Sequence, residues 1–269
     1  MIVQHNITSM NANRQLGIVG NNLTKATEKL SSGYKINRAA DDAAGLAISE
    51  KMRSQVRGLQ RASDNAQDGI SLIQTAEGAL DQKHAILQRT RELVVQASNT
   101  AVLDSGTADV TKIQNEIDEL KKEYERIDSQ TEFNKKTLLD GSYSGFLQVG
   151  ANEGQGFTLT IGSTGWALNN LDLSDGATNS DLIADVDTMI SNVSALRSSL
   201  GANQNRLEYT VKVNDNTAEN MQSAESRIRD TDMADEMTRY SKESILQQAA
   251  TSMLAQANQS NQGVLSLLQ

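Results

Sequence analysis

Residues 43–98 determine the fold class and read AAGLAISEKMRSQVRGLQRASDNAQDGISLIQTAEGALDQKHAILQRTRELVVQAS. Apolar residues recur here at every seventh position, namely Met52, Leu59, Ala66, Ile73, Leu80, Leu87 and Val94. Small residues lie three positions after several of these, at Ala62, Gly69, Ala76 and Ala97. A sustained heptad of this kind predicts a long helix with coiled-coil-like packing. At about 1.5 Å of rise per residue the helix would extend for roughly 80 Å, which predicts a rod.

Three further segments carry apolar residues at helical spacing. Near the start of the chain these are Leu16, Val19, Leu23, Ala26 and Leu30. After a Ser-, Gly- and Asp-rich loop they are Val110, Ile113, Ile117, Leu120, Tyr124 and Ile127. A third series begins with Leu182, Val186, Met189, Val193, Leu196 and Leu200 and continues to Ile228. The chain contains no proline, a residue that breaks helix interiors, so the composition favours long uninterrupted helices.

Residues 245–269 read ILQQAATSMLAQANQSNQGVLSLLQ and contain no Asp, Glu, Lys or Arg, although 22% of the chain is charged. The larger apolar residues of this segment include Ile245, Leu246, Met253, Leu254, Val264, Leu265 and Leu268. Their spacing indicates an amphipathic helix, which needs a partner for its apolar face. We therefore expect the two chain ends to pack against each other and against copies of the same chain.

The middle of the chain has a different composition. Residues 140–166 are rich in glycine, and Phe157, Leu159 and Ile161 alternate with threonines. Leu147 and Val149 form a shorter alternation before a glycine-containing turn. This pattern predicts one β-hairpin near residues 140–165. The predicted fold is therefore mainly α, with long coiled-coil-like helices forming a rod and one small β-hairpin region.

Composition excludes several classes of function. The net charge of −9 and the pI near 4.8 disfavour a nucleic-acid partner, because phosphate binding requires clustered Lys and Arg. No segment approaches the roughly 18–20 apolar residues needed for membrane insertion. The absence of cysteine excludes disulfides and thiolate sites. The first residues also lack the apolar core of a signal peptide, so the chain either stays inside the cell or leaves by a route without a cleaved signal.

The sequence offers no support for catalysis. Its two histidines are His5 and His84, and we interpret His84 as a structural residue of the long helix. Asp41 and Asp42 could form a metal or acid–base pair, but adjacent carboxylates at a helix start more often cap the helix. No nucleophile, base and orienting group occur together. We expect no enzyme activity, catalytic residue, metal or cofactor.

Three motifs nevertheless resemble a known family. They are KLSSGYKINRAADDAAGLAISEKMRSQVRGLQRASDNAQDGISLIQTAEGAL (29–80), ESRIRDTDMADEM (225–237) and SMLAQANQSNQGVLSLLQ (252–269). Together they closely resemble bacterial flagellin, over roughly residues 1–140 and 180–269. Only residues 162–180 remain for the region that varies in this family, so the chain resembles a short flagellin without separate variable outer domains.

The resemblance implies a structural subunit that self-assembles into the bacterial flagellar filament, the helical propeller for swimming. Residues 1–42 and 232–269 would form the inner filament-core domain, with paired terminal helices and a connector at 31–42. Residues 43–231 would form the outer helical rod domain with the β-hairpin. The residues expected to pack in the filament core are Leu16, Val19, Leu23, Leu30, Ile245, Leu246, Met253, Leu254, Val264, Leu265 and Leu268.

The resemblance also implies partners. These are other copies in the filament, an export chaperone at the C-terminal segment, the filament cap and the hook–filament junction proteins. The filament would be extracellular, reached through the flagellar type III apparatus without a cleaved signal. The stretch ILQRTREL matches the part of the family that a host Toll-like receptor recognises. The residues expected there, which would also contact the next subunit of a protofilament, are Gln88, Arg89, Arg91, Leu93 and Glu116.

Two alternatives remain on the sequence alone. A secreted helical effector or translocator would share the amphipathic ends, but should carry a longer apolar stretch for insertion into a bilayer. An enzyme built on a helical scaffold would need a constellation of polar residues in a pocket.

Overall fold

The computed structural model describes residues 6–99, 108–168, 173 and 179–266, without the side chains of 179–180 and 260–266. These residues form five helices, α1 (Ile7–Ser32), α2 (Ala43–Ala97), α3 (Ala108–Gln130), α4 (Asn179–Arg229) and α5 (Met233–Ser266). They also form four strands, β1 (Glu132–Phe133), β2 (Lys136–Thr137), β3 (Ser144–Gln148) and β4 (Gly156–Thr160). The prediction of a mainly α fold with long helices is confirmed.

The predicted β-hairpin consists of β3 and β4, which pair antiparallel with Leu147 opposite Phe157. A second small hairpin, formed by β1 and β2, was not predicted. Its turn places both Asn134 and Lys135 at positive φ, at 50° and 64°. This conformation fits a two-residue hairpin turn, but lysine is not one of the residues that usually mark such turns.

Contacts divide the chain into two compact units. Unit 1 comprises residues 1–54 and 219–269, and unit 2 comprises residues 55–218. These units divide within α2 and within α4. The domain limits implied by the family resemblance, after residue 42 and before residue 232, fall at the break between α1 and α2 and at the break between α4 and α5. Their assignment to inner and outer filament domains stays a prediction.

The core of unit 2 contains the predicted helical stripes. The heptad residues of α2 with 0% exposure are Ala66, Ile73, Leu80, Leu87 and Val94. Facing residues that are equally buried are Ile117 and Tyr124 of α3 and Val186, Val193 and Leu200 of α4. Gly69 of α2 allows the hairpin to approach, because a Cβ there would lie 3.0 Å from Leu147 Cδ1. Glycine at this position therefore allows the hairpin of β3 and β4 to pack closely on α2.

In unit 1, the two breaks between helices are joined by backbone hydrogen bonds. The Lys35 N–H donates to the Arg229 carbonyl at 2.6 Å, and the Thr231 N–H donates to the Gly33 carbonyl at 3.0 Å. Gly33 ends α1 with a φ of 76°, a left-handed conformation that favours glycine. The end of α1 and the end of α4 are thereby held side by side.

The two aspartates in the first break have different roles, since Asp42 caps α2 and Asp41 stabilises the preceding loop. Asp42 Oδ1 accepts from the Gly45 N–H at 2.9 Å, at the start of α2. Asp41 Oδ2 accepts from the Asn37 N–H at 3.2 Å and from the Arg38 N–H at 3.1 Å. The capping interpretation is thus confirmed for Asp42 alone. The bonds to Asp41 hold its pKa below the ordinary value, chiefly through the Arg38 N–H and then the Asn37 N–H.

Candidate functional site

The first candidate surface is formed by the paired terminal helices of unit 1. Helix α1 packs along α5. At one end, Asn6 Nδ2 donates to the Ala257 carbonyl at 3.0 Å, and the Ser9 hydroxyl donates to Asn258 Oδ1 at 2.7 Å. Since residues at the start of α1 meet the later part of α5, the two helices run antiparallel. The expected pairing of the chain ends is therefore present within one molecule.

The residues expected in the filament core fall into two groups. Those that are half-buried on the paired helices are Leu16, Val19, Leu23, Leu30 and Leu254. Three others on α5 remain exposed: Ile245 at 66%, Leu246 at 40% and Met253 at 68%. The side chains of Val264 and Leu265, and the whole of Leu268, lie outside the described residues. One partner helix thus covers only part of the predicted stripe.

More apolar side chains of the same pair face solvent. They are Ile7, Met10 and Ile18 on α1 and Met233, Met237 and Tyr240 on α5. Ala26 is the one residue of α1 that is fully buried. Large exposed apolar surfaces on a soluble chain mark sites of interaction with other molecules. From Ile245 onward α5 carries no charge, so covering it would leave no unpaired buried ion.

The second candidate surface lies in unit 2, where α2 meets α3. Arg89 donates to Glu116 Oε1 from Nε at 3.0 Å and from Nη2 at 2.8 Å. Its Nη1 also donates to Glu92 Oε2 at 3.1 Å. The hydrogen bonds to Glu116 and then to Glu92 raise the pKa of the Arg89 guanidinium. The Arg89 and Glu116 side chains are 51% and 46% exposed, so the pair is fixed in position yet accessible.

The other residues expected at this surface occupy different environments. Gln88 is exposed and bonds through Nε2 to His84 Nε2 at 3.0 Å. Arg91 turns to another helix, where its Nε donates to Asp187 Oδ1 at 2.6 Å. Leu93 is only 2% exposed and belongs to the core beneath the surface. The structure therefore brings Arg89 and Glu116 together and places Arg91 in a separate ion pair.

Other kinds of site are not supported within the parts of the chain that the structure describes. No group of three or more His, Cys, Asp or Glu residues converges on a possible metal position there. Among the same residues, no helix has the length and hydropathy of a membrane span.

One buried polar cluster was not predicted. Lys83 is 0% exposed and contacts Tyr124, Asp128 and Thr164 in the core of unit 2. Lys83 lies seven residues after the buried Ala76 and seven before the buried Thr90. This spacing could have indicated that Lys83 is buried, because it places the lysine on the heptad face of α2. His84, the neighbour, is half-buried beside that face.

Models of known protein families match the helical regions at both ends of the chain. Residues 3–144 match the bacterial flagellin N-terminal helical region, and residues 183–268 match the bacterial flagellin C-terminal helical region. Between them these two matches include every helix of both units except the first four residues of α4, at 179–182. The hairpin of β3 and β4 lies almost entirely in the unmatched part, residues 145–182.

Individual relatives match over the full chain. The sequence is 53% identical to a flagellin of Halalkalibacterium halodurans and 48% identical to a flagellin of Bacillus subtilis, covering 100% of both chains in each case. It is also 46% identical, at the same coverage, to a flagellar filament 31.3 kDa core protein of Treponema maltophilum. The crystal structure of Bacillus cereus flagellin matches 56% of this chain and 88% of its own, with a TM-score of 0.50 and 29% identity. The chain therefore belongs to the bacterial flagellin family.

Proposed function

We propose that this chain is a structural subunit of an extracellular flagellar filament and assembles with copies of itself through its terminal helices. The observation that carries the proposal is the exposed, uncharged apolar stripe of α5. Ile245, Leu246 and Met253 remain in water although α5 is already packed on α1. A helix pair with such a surface gains free energy when further helices cover it.

Membership in the flagellin family supports the same role. In an assembly of this kind, each subunit would add its α1–α5 pair to those of its neighbours. Burial of apolar surface stabilises the contact by about 25 cal/mol per Å². The neutral Gln, Asn and Ser residues of 245–269 would keep one face of α5 hydrated. Because the segment has no charged residue, its burial would leave no unpaired charge in the contact. The subunit would act mechanically, as part of the swimming propeller, without chemical catalysis.

A single substitution on the exposed stripe tests this role. Met253→Asp places a charge at a position that is 68% exposed in the single chain, so the monomer should fold normally. Assembly after addition of filament seeds should fail, because the charge would have to enter an apolar contact. Met253→Leu is the matched control and should assemble. Sedimentation of seeded samples measures both variants, and equal assembly of the Asp variant would contradict the proposed contact.

A second proposed role is recognition by the flagellin-sensing Toll-like receptor of a host. Exposure of the Arg89–Glu116 pair supports it, since both side chains are fixed and reachable. Gln88 and Arg91 would contribute from the surrounding surface, and Leu93 would support it from the core. The same surface would contact the next subunit of a protofilament, so receptor and subunit would compete for it.

The receptor role is tested with Arg89→Ala and Glu116→Ala in a reporter-cell assay. Each variant should need a higher protein concentration for half-maximal response while keeping its helical circular dichroism. Arg61→Ala is the control, because Arg61 is an exposed arginine of the same helix, with its side chain 84% exposed. An unchanged response to both site variants would reject the role.

The remaining proposed partners follow from assembly. An export chaperone would cover the exposed stripe of α5 before export, and the type III apparatus would carry the chain outward. The filament cap and the hook–filament junction proteins would meet the same terminal helices at the two ends of the filament. Pull-down of the chaperone by the full chain, and its loss with the Met253→Asp variant, tests the first of these contacts.

A further inference from the structure

Lys83 of α2 is a fully buried charge whose contacts come from two other parts of unit 2, α3 and residues near Thr164. Its Nζ donates to Asp128 Oδ1 at 2.5 Å, to Thr164 Oγ1 at 2.7 Å and to the Thr164 carbonyl at 3.2 Å. It also lies 4.0 Å from the centre of the Tyr124 ring, within the range of a cation–π contact. Every hydrogen of the ammonium thus has an acceptor, and the aromatic face covers its remaining side.

The position of Lys83 in the heptad is unusual. It belongs to the series in which α2 elsewhere carries mostly small residues, at Ala62, Gly69, Ala76, Thr90 and Ala97. The Thr90 hydroxyl donates a hydrogen bond to the Ile86 carbonyl of the same helix, at 2.9 Å. Lys83 instead reaches away from its own helix. A single polar residue at a heptad core position is known to specify how partners align, at some cost in stability.

Residues 161–168, here called the strap, follow β4 without regular secondary structure. Its buried positions are Ile161 at 1%, Thr164 at 8% and Leu168 at 3% exposure. The strap passes close to Gly141, which has a φ of 80° and where an added Cβ would lie 2.6 Å from Ser163 Cβ. The strap therefore has a buried residue on each side of Thr164 and is closely packed at Ser163.

Thr164 is the point at which the strap meets the buried cluster. Its carbonyl accepts from Lys83 and also accepts a short hydrogen bond from the Tyr124 hydroxyl. Trp166 then lies edge-on to the Tyr124 ring, with 5.3 Å between ring centres and 71° between planes. Trp166 Nε1 donates to the Leu168 carbonyl at 3.1 Å. The ammonium, the phenol and the indole thus form one continuous set of contacts along the strap.

The electrostatics indicate that this cluster determines position more than stability. Burial lowers the pKa of Lys83, and the hydrogen bond and charge of Asp128 oppose that shift only in part. Burial likewise raises the pKa of Asp128 against the opposing effect of Lys83. Both directions mean that the charged pair costs free energy when it is buried. Apolar replacements of such pairs are often neutral or stabilising, so the use of the pair lies in selecting an arrangement.

We propose that Lys83 is a positioning residue. Its buried ammonium holds the strap at Thr164 and thereby selects the strap conformation in which Trp166 packs against Tyr124. The strap begins the segment between β4 and α4, which the family resemblance leaves as the variable surface part. Lys83 would therefore hold the first part of that segment, residues 161–168, against the helices of unit 2. The proposal concerns the folded chain and does not depend on filament assembly or receptor binding.

Trp166 is the single tryptophan of the chain, so its fluorescence reports on the strap directly. Lys83→Met keeps an unbranched side chain and removes the charge. We expect unchanged helical circular dichroism and cooperative unfolding, with Trp166 emission shifted to longer wavelength. Hydrogen exchange of strap amides should accelerate by roughly tenfold or more, because charge-assisted hydrogen bonds are lost. Unchanged emission and exchange would overturn the proposal.

A second pair of measurements separates the ammonium from simple space filling. In Lys83→Ala, added propylammonium should restore the Trp166 emission, because it supplies the missing cation to Asp128 and Thr164. Propanol, which is similar in size and neutral, should not. Equal restoration by both, or by neither, would contradict a role for the charge. If the Lys83 variants fail to fold, Thr164→Val tests the same contact from the strap, and an unshifted emission there would also overturn the proposal.

Discussion

Arg89 of α2 and Glu116 of α3 are joined by two hydrogen bonds to one carboxylate oxygen, from Nε at 3.0 Å and from Nη2 at 2.8 Å. Both side chains lie about half in solvent, above the buried Leu93. The pair therefore joins two helices and also presents a fixed charge pattern to other molecules. These two consequences can be separated by experiment.

Exchanging the two charges separates them. Arg89→Glu and Glu116→Arg, made singly, should each lower Tm slightly through like-charge contact, by about 2 °C or less for an exposed pair. The double variant should recover most of that loss, because the ion pair is re-formed with reversed polarity, although Glu92 then meets a like charge at position 89. It should not recover receptor activation, since a partner reads the orientation of the charges. Recovery of both properties would show that only the joining of the helices matters.

Shortening a buried side chain of the heptad core should lower the free energy of unfolding. Leu80 is 0% exposed, and Leu80→Ala should destabilise the protein by about 2–5 kcal/mol through lost burial and the cavity that remains. Gln82→Ala, at an exposed position on the same helix, should change stability by about 0.5 kcal/mol or less. Urea unfolding followed by circular dichroism measures both. Similar losses for the two variants would contradict the assignment of the buried face.

The cap at the start of α2 predicts a difference between two substitutions. Asp42→Ala removes the acceptor for the Gly45 N–H and should cost about 0.5–2 kcal/mol. Asp42→Asn keeps a side-chain oxygen and should retain most of the stability. The urea unfolding midpoints of the two variants measure this difference. An Asn variant as unstable as the Ala variant would contradict the capping role.

Acid should weaken the first break of unit 1 through Asp41. The folded pKa of Asp41 lies below its ordinary value of 3.8, because the Arg38 and Asn37 N–H groups stabilise the carboxylate. Its contribution is therefore fully present above the unfolded pKa and disappears as pH falls through the folded pKa. Asp41→Asn should be less stable than the native chain at pH 6 and should converge with it in strong acid. A difference that stays constant with pH would exclude the ionised carboxylate as its source.

The sequence predicted those parts of the fold that depend on periodic burial. Ile73, Leu80 and Leu87 were placed correctly because a seven-residue repeat of apolar residues has few other solutions. The hairpin of β3 and β4 followed from the alternation around Leu159. The paired chain ends followed from two matching stripes, since each needs a partner to leave water.

The missed features depend on contacts between residues distant in sequence. The hairpin of β1 and β2 turns at Asn134–Lys135, a dipeptide without the glycine that usually marks such a turn. Lys83 follows the heptad spacing, but its burial depends on Asp128 and Thr164, which only the folded chain brings together. Leu93, for which the family resemblance implies a recognition role, lies in the core at 2% exposure, and that role stays a prediction.

The central claim is that the exposed stripe of α5 is an assembly surface, and seeded polymerisation viewed by electron microscopy tests it most directly. The full chain should form long filaments, and a truncation lacking residues 245–269 should remain monomeric with the helices of unit 2 intact. A full chain that stays monomeric under conditions in which a homologous flagellin polymerises would contradict the claim. So would a truncated chain that forms the same filaments.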